Sequence, residues 1–239
     1  MTEIKKLEAI ICDFDDTLIP TSEIGERAIN AAVDAIILKG IDIPRDKIFL
    51  EYMKVRKELG SKNKEHLDVM FERLGITKVK ANEFISAARR AYHFATMALM
   101  PFHDVPQTLY KLKELGYRLY IATDGDSKDQ WDKIHALQSN GFDKKIFDRI
   151  YTNEDYQFKT KCPEFYQMIL NKESLEAKRC LIIGDKMDSD IRPGRICELI
   201  TARVLTGRHG EAKYEDEADY VIPRFSDILT KLEKIEKKL

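Results

Sequence analysis

Ala9-Ile10-Ile11-Cys12-Asp13-Phe14-Asp15-Asp16-Thr17-Leu18, an unbroken apolar run that ends in acid, is the stretch on which the reading of this chain turns. Four consecutive apolar residues bounded by polar ones suit a strand buried on both faces, as in a parallel sheet. Comparable runs recur at Arg118 to Thr123, Arg179 to Gly184, Ile200 to Leu205 and Tyr220 to Ile222. Between them lie helical patterns: Asp104 to Leu115 closed by Gly116, Ser127 to Asn140 closed by Gly141, and Pro163 to Leu170. Strand alternating with helix predicts an α/β fold with a doubly wound parallel sheet.

One segment breaks the rhythm. From about Ser22 to Leu99 the apolar residues follow helical spacing (Ile24, Ala28, Ala31, Ala32, Ala35 and Ile36, then Val55 and Leu59, then Phe84, Ala87, Ala88 and Ala91), with no strand pattern. Pro20 and Pro101 interrupt helix at its two junctions. The expected organisation is therefore a catalytic core of residues 1–20 and 100–239, with a helical cap of residues 21–99 inserted after the first strand. The last stretch, Phe225 to Leu239, puts Ile228, Leu229, Leu232 and Ile235 on one face of a helix expected to pack on the sheet.

Composition narrows the function. Of 239 residues, 44% are hydrophobic and 34% charged, with Lys+Arg 40 against Asp+Glu 41, a balanced surface that offers no field for nucleic acid or an anionic membrane. No apolar run is long enough to span a bilayer, and Met1 to Lys6 is polar, so a cytoplasmic location is expected. Cys12, Cys162, Cys180 and Cys197 are scattered without a C-x-x-C pair and read as reduced thiols. The five histidines, His66, His93, His103, His135 and His209, show no metal-ligand spacing.

In open α/β sheets ligands bind beyond the carboxyl ends of the strands, where Asp13 and Asp15 fall. Residues two apart on an extended chain point the same way, so these two can share a site. Two carboxylates about 4 Å apart repel by roughly 4 kcal/mol at an effective dielectric of ~20. The pair therefore calls for a dication such as Mg2+, or else one raised pKa. Taken alone, D-x-D would read as an acidic turn. Other polar clusters close other strands or lie in nearby loops: Thr123-Asp124-Gly125 after Leu119 to Ala122, Lys161 before Pro163, and Gly184-Asp185 with Asp190 after Cys180 to Ile183.

In this order the clusters resemble the haloacid dehalogenase-like hydrolase superfamily, whose motifs are D-x-D-x-T, a hydroxyl residue after a second strand, a lysine, and an acidic G-D-x(4)-D signature. The resemblance covers residues 7–22 and 99–222, and the insertion matches the family's C1 cap in position and helical character. It implies a Mg2+-dependent phosphatase acting on a small phosphorylated metabolite such as a sugar phosphate, phosphoglycolate or a nucleotide. Asp13 would be the nucleophile, forming an aspartyl phosphate, and Asp15 the acid and base. Thr123, Asp124 and Lys161 would bind phosphate. Asp13, the Asp15 carbonyl and Asp185 would hold the metal, with Asp190 a ligand or a partner of the ligands, and Thr17 would fix the loop.

Two departures from the family pattern stand out. Relatives usually carry Asn where this chain has Asp124, whose carboxylate must turn away from phosphate or meet a cation. Around the lysine, Phe158-Lys159-Thr160-Lys161-Cys162-Pro163 offers Lys161 and, as runner-up, Lys159. The dehalogenase members lack the second aspartate and are disfavoured, whereas a β-phosphoglucomutase-like phosphomutase would use the same pair. A receiver-like phosphorylatable domain is opposed by the insertion and by acidic residues spaced two apart. Gln130 and Lys133 beside the Thr123 turn look like the nucleotidase and sugar-phosphate phosphatase branch. Trp131 is expected in the core, and Arg208-His209-Gly210 as a solvated loop.

Overall fold

The computed structural model describes residues 7–60, 63–207 and 217–239, with the backbone alone at Ser139; the Arg208-His209-Gly210 loop and Met1 to Lys6 lie outside them. Among these residues six strands form one sheet: β1 Ala9–Cys12, β2 Arg118–Thr123, β3 Arg149–Thr152, β4 Cys180–Gly184, β5 Ile200–Val204 and β6 Tyr220–Ile222. Their order is β3-β2-β1-β4-β5-β6, and every neighbouring pair is parallel. The doubly wound α/β fold read from the sequence is thus the observed one. β1 and β4 are wholly buried, which explains their run of apolar residues without alternation. The order reverses at β1, so the crevice beyond the carboxyl ends of β1, β2 and β4 is where such a sheet binds its ligand.

β3 escaped the sequence reading. Its four residues, Arg149-Ile150-Tyr151-Thr152, form an edge strand with an exposed arginine, and four residues leave too little pattern to register. The C-terminal segment is also less regular than expected: Phe225–Thr230 forms a 3-10 turn, and only Leu232–Glu236 is α-helical. Ile228, Leu232 and Ile235 are still buried. Trp131 corrects a second expectation, because its indole is half-buried, 6.0 Å from the His135 ring, with the Lys144 ammonium 5.9 Å from its centroid.

The chain divides into two compact units, Met1–Ser22 with Leu99–Leu239, and Glu23–Ala98. The second holds most of α1 Thr21–Leu38 and all of α2 Arg45–Leu59, α3 His66–Arg73 and α4 Lys78–Met97. It has its own core, built from Val33, Ile36, Ile48, Val55, Met70, Phe71 and Ile85 among others. The first unit carries the sheet with α5 Val105–Glu114, α6 Ser127–Leu137, α7 Pro163–Glu173 and α8 Arg192–Ile196. Phe165, Tyr166, Ile169 and Leu170 of α7 pack with Ala9, Ile11, Tyr120 and Ile182 of the sheet. Among the described residues no helix is long and apolar enough to cross a membrane.

Helix α8 lies so close to the sheet that it needs a glycine. A Cβ on Gly194 would sit 2.7 Å from Cγ2 of Ile182 and 3.3 Å from Cγ2 of Thr201. Alanine in a helix ordinarily gains up to about 1 kcal/mol over glycine, yet overpacking a closed core costs about 1–3 kcal/mol. Gly194→Ala is therefore expected to destabilise the protein in urea unfolding; a rise in stability would show that α8 can move off the sheet freely.

Candidate active site

The β1 strand continues its pairing one residue beyond its last rung, where the Asp13 N–H donates to the Ile183 carbonyl at 2.8 Å. That bond fixes Asp13 next to the end of β4, and the Thr17 hydroxyl donates to Asp13 Oδ2 at 3.2 Å. The turn after β1 doubles back through Asp16, at φ 63°. Aspartate tolerates this left-handed conformation better than most residues. The Asp16 carboxylate accepts from the N–H (2.8 Å) and hydroxyl (2.5 Å) of Ser22, and its carbonyl accepts from the Thr206 hydroxyl. Asp16 thus anchors the start of α1 and stays out of the site.

Lys161 is fully buried and reaches both the Asp13 carboxylate and Asp190 Oδ1, the latter at 2.5 Å. Its ammonium also donates to the Ala122 carbonyl at 3.3 Å. Lys159 remains at the surface. Burial alone would pull the Lys161 ammonium down, but Asp13 and Asp190 reverse the effect and hold it well above its ordinary value. Asp190 Oδ2 accepts from the Lys186 N–H at 3.1 Å, and the buried Tyr166 hydroxyl lies 3.3 Å from Oδ1. Asp190 sits in a π-helical turn, Met187–Ile191, a geometry found mostly at functional sites. It comes so near the β4 end that a Cβ on Gly184 would be 2.4 Å from its carboxyl carbon.

Asp13, Asp185 and Asp190 are all buried, and each offers an oxygen within 4.8 Å of the others. Both Asp185 oxygens and the Thr123 hydroxyl lack a hydrogen-bond partner among the described residues. Burial, with the charges of Asp13 and Asp190 beside it, pushes the Asp185 carboxyl up to about 8. Burial likewise raises Asp190, to about 6, with Lys161 opposing. Three gathered carboxylates, one without a hydrogen-bond partner among the described residues, fit a hard divalent cation that prefers oxygen ligands.

Asp15 points elsewhere. Its carboxylate meets Lys133 through Oδ1 (2.7 Å) and Oδ2 (2.8 Å), Thr21 through Oδ1 (2.5 Å) and Gln130 through Oδ2 (2.9 Å). Burial would push this carboxyl up, but the Lys133 charge and the hydrogen bonds from Lys133, Thr21 and Gln130 outweigh it and hold the group below its ordinary value. The Asp15 carboxylate is thus not part of the acidic triad; only its main-chain carbonyl is left for a metal.

The Asp124 departure has a structural reason. Its carboxylate turns away from the triad and accepts from the Lys161 N–H at 2.7 Å and the Thr160 hydroxyl at 2.9 Å. It thereby pins the loop that delivers Lys161, the first of the two alternatives the sequence leaves open for this carboxylate. The sequence reading gave no part to Tyr166, Thr21 or Lys186. Burial lowers the Lys186 ammonium, but Asp13 and its acidic neighbours more than compensate and raise it, which puts a second cation near Asp13. Its place directly after Asp185 was the available signal.

Comparison with known proteins agrees with this geometry. The family model of haloacid dehalogenase-like hydrolases matches residues 7–197. The glyceraldehyde 3-phosphate phosphatase of Methanopyrus kandleri is 28% identical over 97% of this chain and 99% of its own. That of Methanocaldococcus jannaschii is 29% identical over the same shares, and that of Pyrococcus abyssi 31% over 77% and 76%. Among solved structures, a haloacid dehalogenase-like family hydrolase from Xanthomonas campestris superposes with TM-score 0.68 at 20% identity, covering 98% of this chain and 97% of that one. The phosphatase of the same family from Thermococcus onnurineus gives 0.63 at 17%, covering 94% and 97%. The chain belongs to the haloacid dehalogenase-like hydrolase family. Within it, its curated relatives of nearly full length are phosphatases, and this chain is an enzyme of that type.

The raised Asp185 carboxyl yields a stability prediction with a definite sign. A carboxyl that holds its proton more tightly folded than unfolded removes stability as it ionises, so metal-free protein loses stability from this group as pH rises from ~4 through about 8. Asp185→Asn is expected to flatten that fall in thermal unfolding with chelator present, gaining about 1–3 kcal/mol above neutrality. Mg2+ should raise the Tm of the parent protein and leave the variant's unchanged. An equal Mg2+ shift in both proteins would remove Asp185 from the ligand set.

Proposed function

We propose that this protein is a Mg2+-dependent phosphatase that hydrolyses glyceraldehyde 3-phosphate or a closely similar small phosphomonoester through an aspartyl phosphate on Asp13. The observation that carries the reading is the buried charge cluster: a carboxylate at the end of β1, touched by a lysine ammonium and flanked by two more carboxylates. Such a cluster has little structural rationale, since replacing buried ion pairs by apolar residues is often neutral or stabilising. The substrate is taken from the relatives matched over nearly their whole length. The helical unit Glu23–Ala98, which enters the chain directly after the Asp13 to Thr17 turn, would serve as the cap that selects among phosphomonoesters.

In the first half-reaction an oxygen of Asp13 attacks phosphorus, the bond from phosphorus to the leaving oxygen breaks, and that oxygen takes a proton from Asp15, which must enter this step in its acid form against the pull of Lys133 toward the carboxylate. In the second, Asp15 takes a proton from water, whose oxygen attacks phosphorus and restores the Asp13 carboxylate with release of inorganic phosphate. Lys161 and the Thr123 hydroxyl donate to the phosphoryl oxygens, and Thr17 steadies Asp13. Asp13, Asp185, Asp190 and the Asp15 carbonyl would hold Mg2+, which supplies charge neutralisation between the anionic nucleophile and the anionic phosphoryl group.

The test is phosphate release from glyceraldehyde 3-phosphate, phosphoglycolate, sugar phosphates and nucleotides, with Mg2+ and with chelator. Glyceraldehyde 3-phosphate is expected among the best substrates, and Asp13→Asn is expected to lower the rate more than about a thousandfold while the protein remains folded. Retention of parental activity in Asp13→Asn would end the aspartyl phosphate reading, and transfer of phosphate to a second hydroxyl instead of water would make the protein a mutase. Lys161→Ala is expected to cost roughly a hundredfold or more in kcat, against less than about twofold for Lys159→Ala. The opposite ranking would transfer the phosphate contact to Lys159.

A further inference from the structure

Asp15 is held more firmly than a general acid or base needs merely to be near its substrate. Three side chains make four hydrogen bonds to its two oxygens, and two of these come from one ammonium that spans both oxygens. That ammonium, on Lys133, is itself 3.3 Å from Gln130 Oε1. Gln130 and Lys133 are three residues apart on α6 and so share a face of the helix. The glutamine is buried, and its Nε2 donates both to Asp15 Oδ2 and to the Asp124 carbonyl at 2.6 Å. Gly125 makes room for it, because a Cβ there would sit 2.6 Å from Nε2. The same side of the helix is anchored further along by the buried Ile134 and Leu137, and its first turn is capped by the Asp126 carboxylate on the Asp129 N–H.

We infer that Lys133, braced by Gln130, is the positioning residue that fixes the ionised Asp15 carboxylate as the base that takes a proton from water in the second half-reaction. A partly exposed ion pair typically adds on the order of 1 kcal/mol to stability, so folding alone gives limited reason for so complete a set of contacts. A short carboxylate side chain left free would sample several rotamers, whereas one gripped through both oxygens presents a single geometry. Lys133 acts through Asp15 and not on the phosphoryl group, which Lys161 and Thr123 address. The inference rests on the phosphatase reading for its chemistry, but not for its geometry.

The experiment compares the parent protein, Lys133→Met and Lys133→Arg on p-nitrophenyl phosphate and glyceraldehyde 3-phosphate by rapid mixing. With Lys133→Met, kcat on the sugar phosphate is expected to fall about 10- to 100-fold with KM changed less than about twofold. p-Nitrophenolate leaves readily without a proton, so the first half-reaction on that ester should remain fast. A burst of about one nitrophenolate per site should then precede a slow steady state, in which the water step is limiting. Lys133→Arg should restore most of the rate. A kcat within about twofold of the parent in Lys133→Met, or a change confined to KM, would overturn the inference. If the parent protein releases no phosphate at all, the phosphatase reading fails by itself, and the crystal structure of Lys133→Met then decides on the clamp. An Asp15 carboxylate displaced from its parental position supports the positioning role, and one that stays in place refutes it.

Discussion

The contact on which the site is built is the ammonium of Lys161 buried between Asp13 and Asp190. Removing one partner of a buried pair typically costs about 3–5 kcal/mol, because the other is left charged and unpaired. Much of the surrounding structure can be understood as what such a lysine requires. Its backbone is tied by Asp124, which stands at the end of β2, and its third hydrogen bond goes to the Ala122 carbonyl one residue before Thr123. Asp190 must come close enough to meet it, which needs the bare Gly184 backbone and the π-helical turn after β4. Tyr166 meets the same oxygen of Asp190 as Lys161, brought there by the same helix that packs its apolar residues on the sheet.

The same cluster is electrostatically incomplete. Lys161 balances part of the charge of Asp13 and Asp190, but nothing among the described residues donates a hydrogen bond to Asp185. A site meant only for stability would neutralise or hydrate such a group. A buried carboxylate without a donor is the usual signature of a region selected for something other than stability.

The sequence disclosed the sheet and the insertion because long buried strands and helical periodicity each repeat often enough to be read: Ala9 to Cys12 and Cys180 to Ile183 could be little else. It did not disclose β3, where an edge position removes the demand for continuous apolar residues. At the site, Asp13, Lys161, Asp185 and Asp190 could be picked out because their order along the chain is itself information. Asp124 shows the limit. Its identity raised the question of repulsion from phosphate, but whether a carboxylate turns away depends on a loop more than thirty residues later, whose Thr160 and Lys161 supply the donors. Lys133 and Gln130 stood out in the sequence only by their place after the Thr123 turn, and their joint grip on Asp15 is a contact across more than a hundred residues of chain.

Three aspartates within four positions have three fates, and backbone direction separates them. Asp13 and Asp15 differ because only Asp13 extends the β1 ladder, through its N–H to Ile183, and so faces the end of β4. By Asp15 the chain has begun to turn, and the residue that waits for it is an α6 lysine and not a strand end. At Asp16 the chain enters the left-handed region, which sends the third carboxylate to Ser22 at the start of α1. A Cβ on Gly207 would lie 2.4 Å from that of Asp16, so the turn is closed from the other side by the loop after β5. Replacing Asp16 by a β-branched residue would meet both constraints at once, the positive φ and the lost anchor on Ser22. Asp13, Asp15 and Asp16 are therefore not independent features: one turn of backbone sets the direction of all three, and a strained substitution at the third would displace the first two.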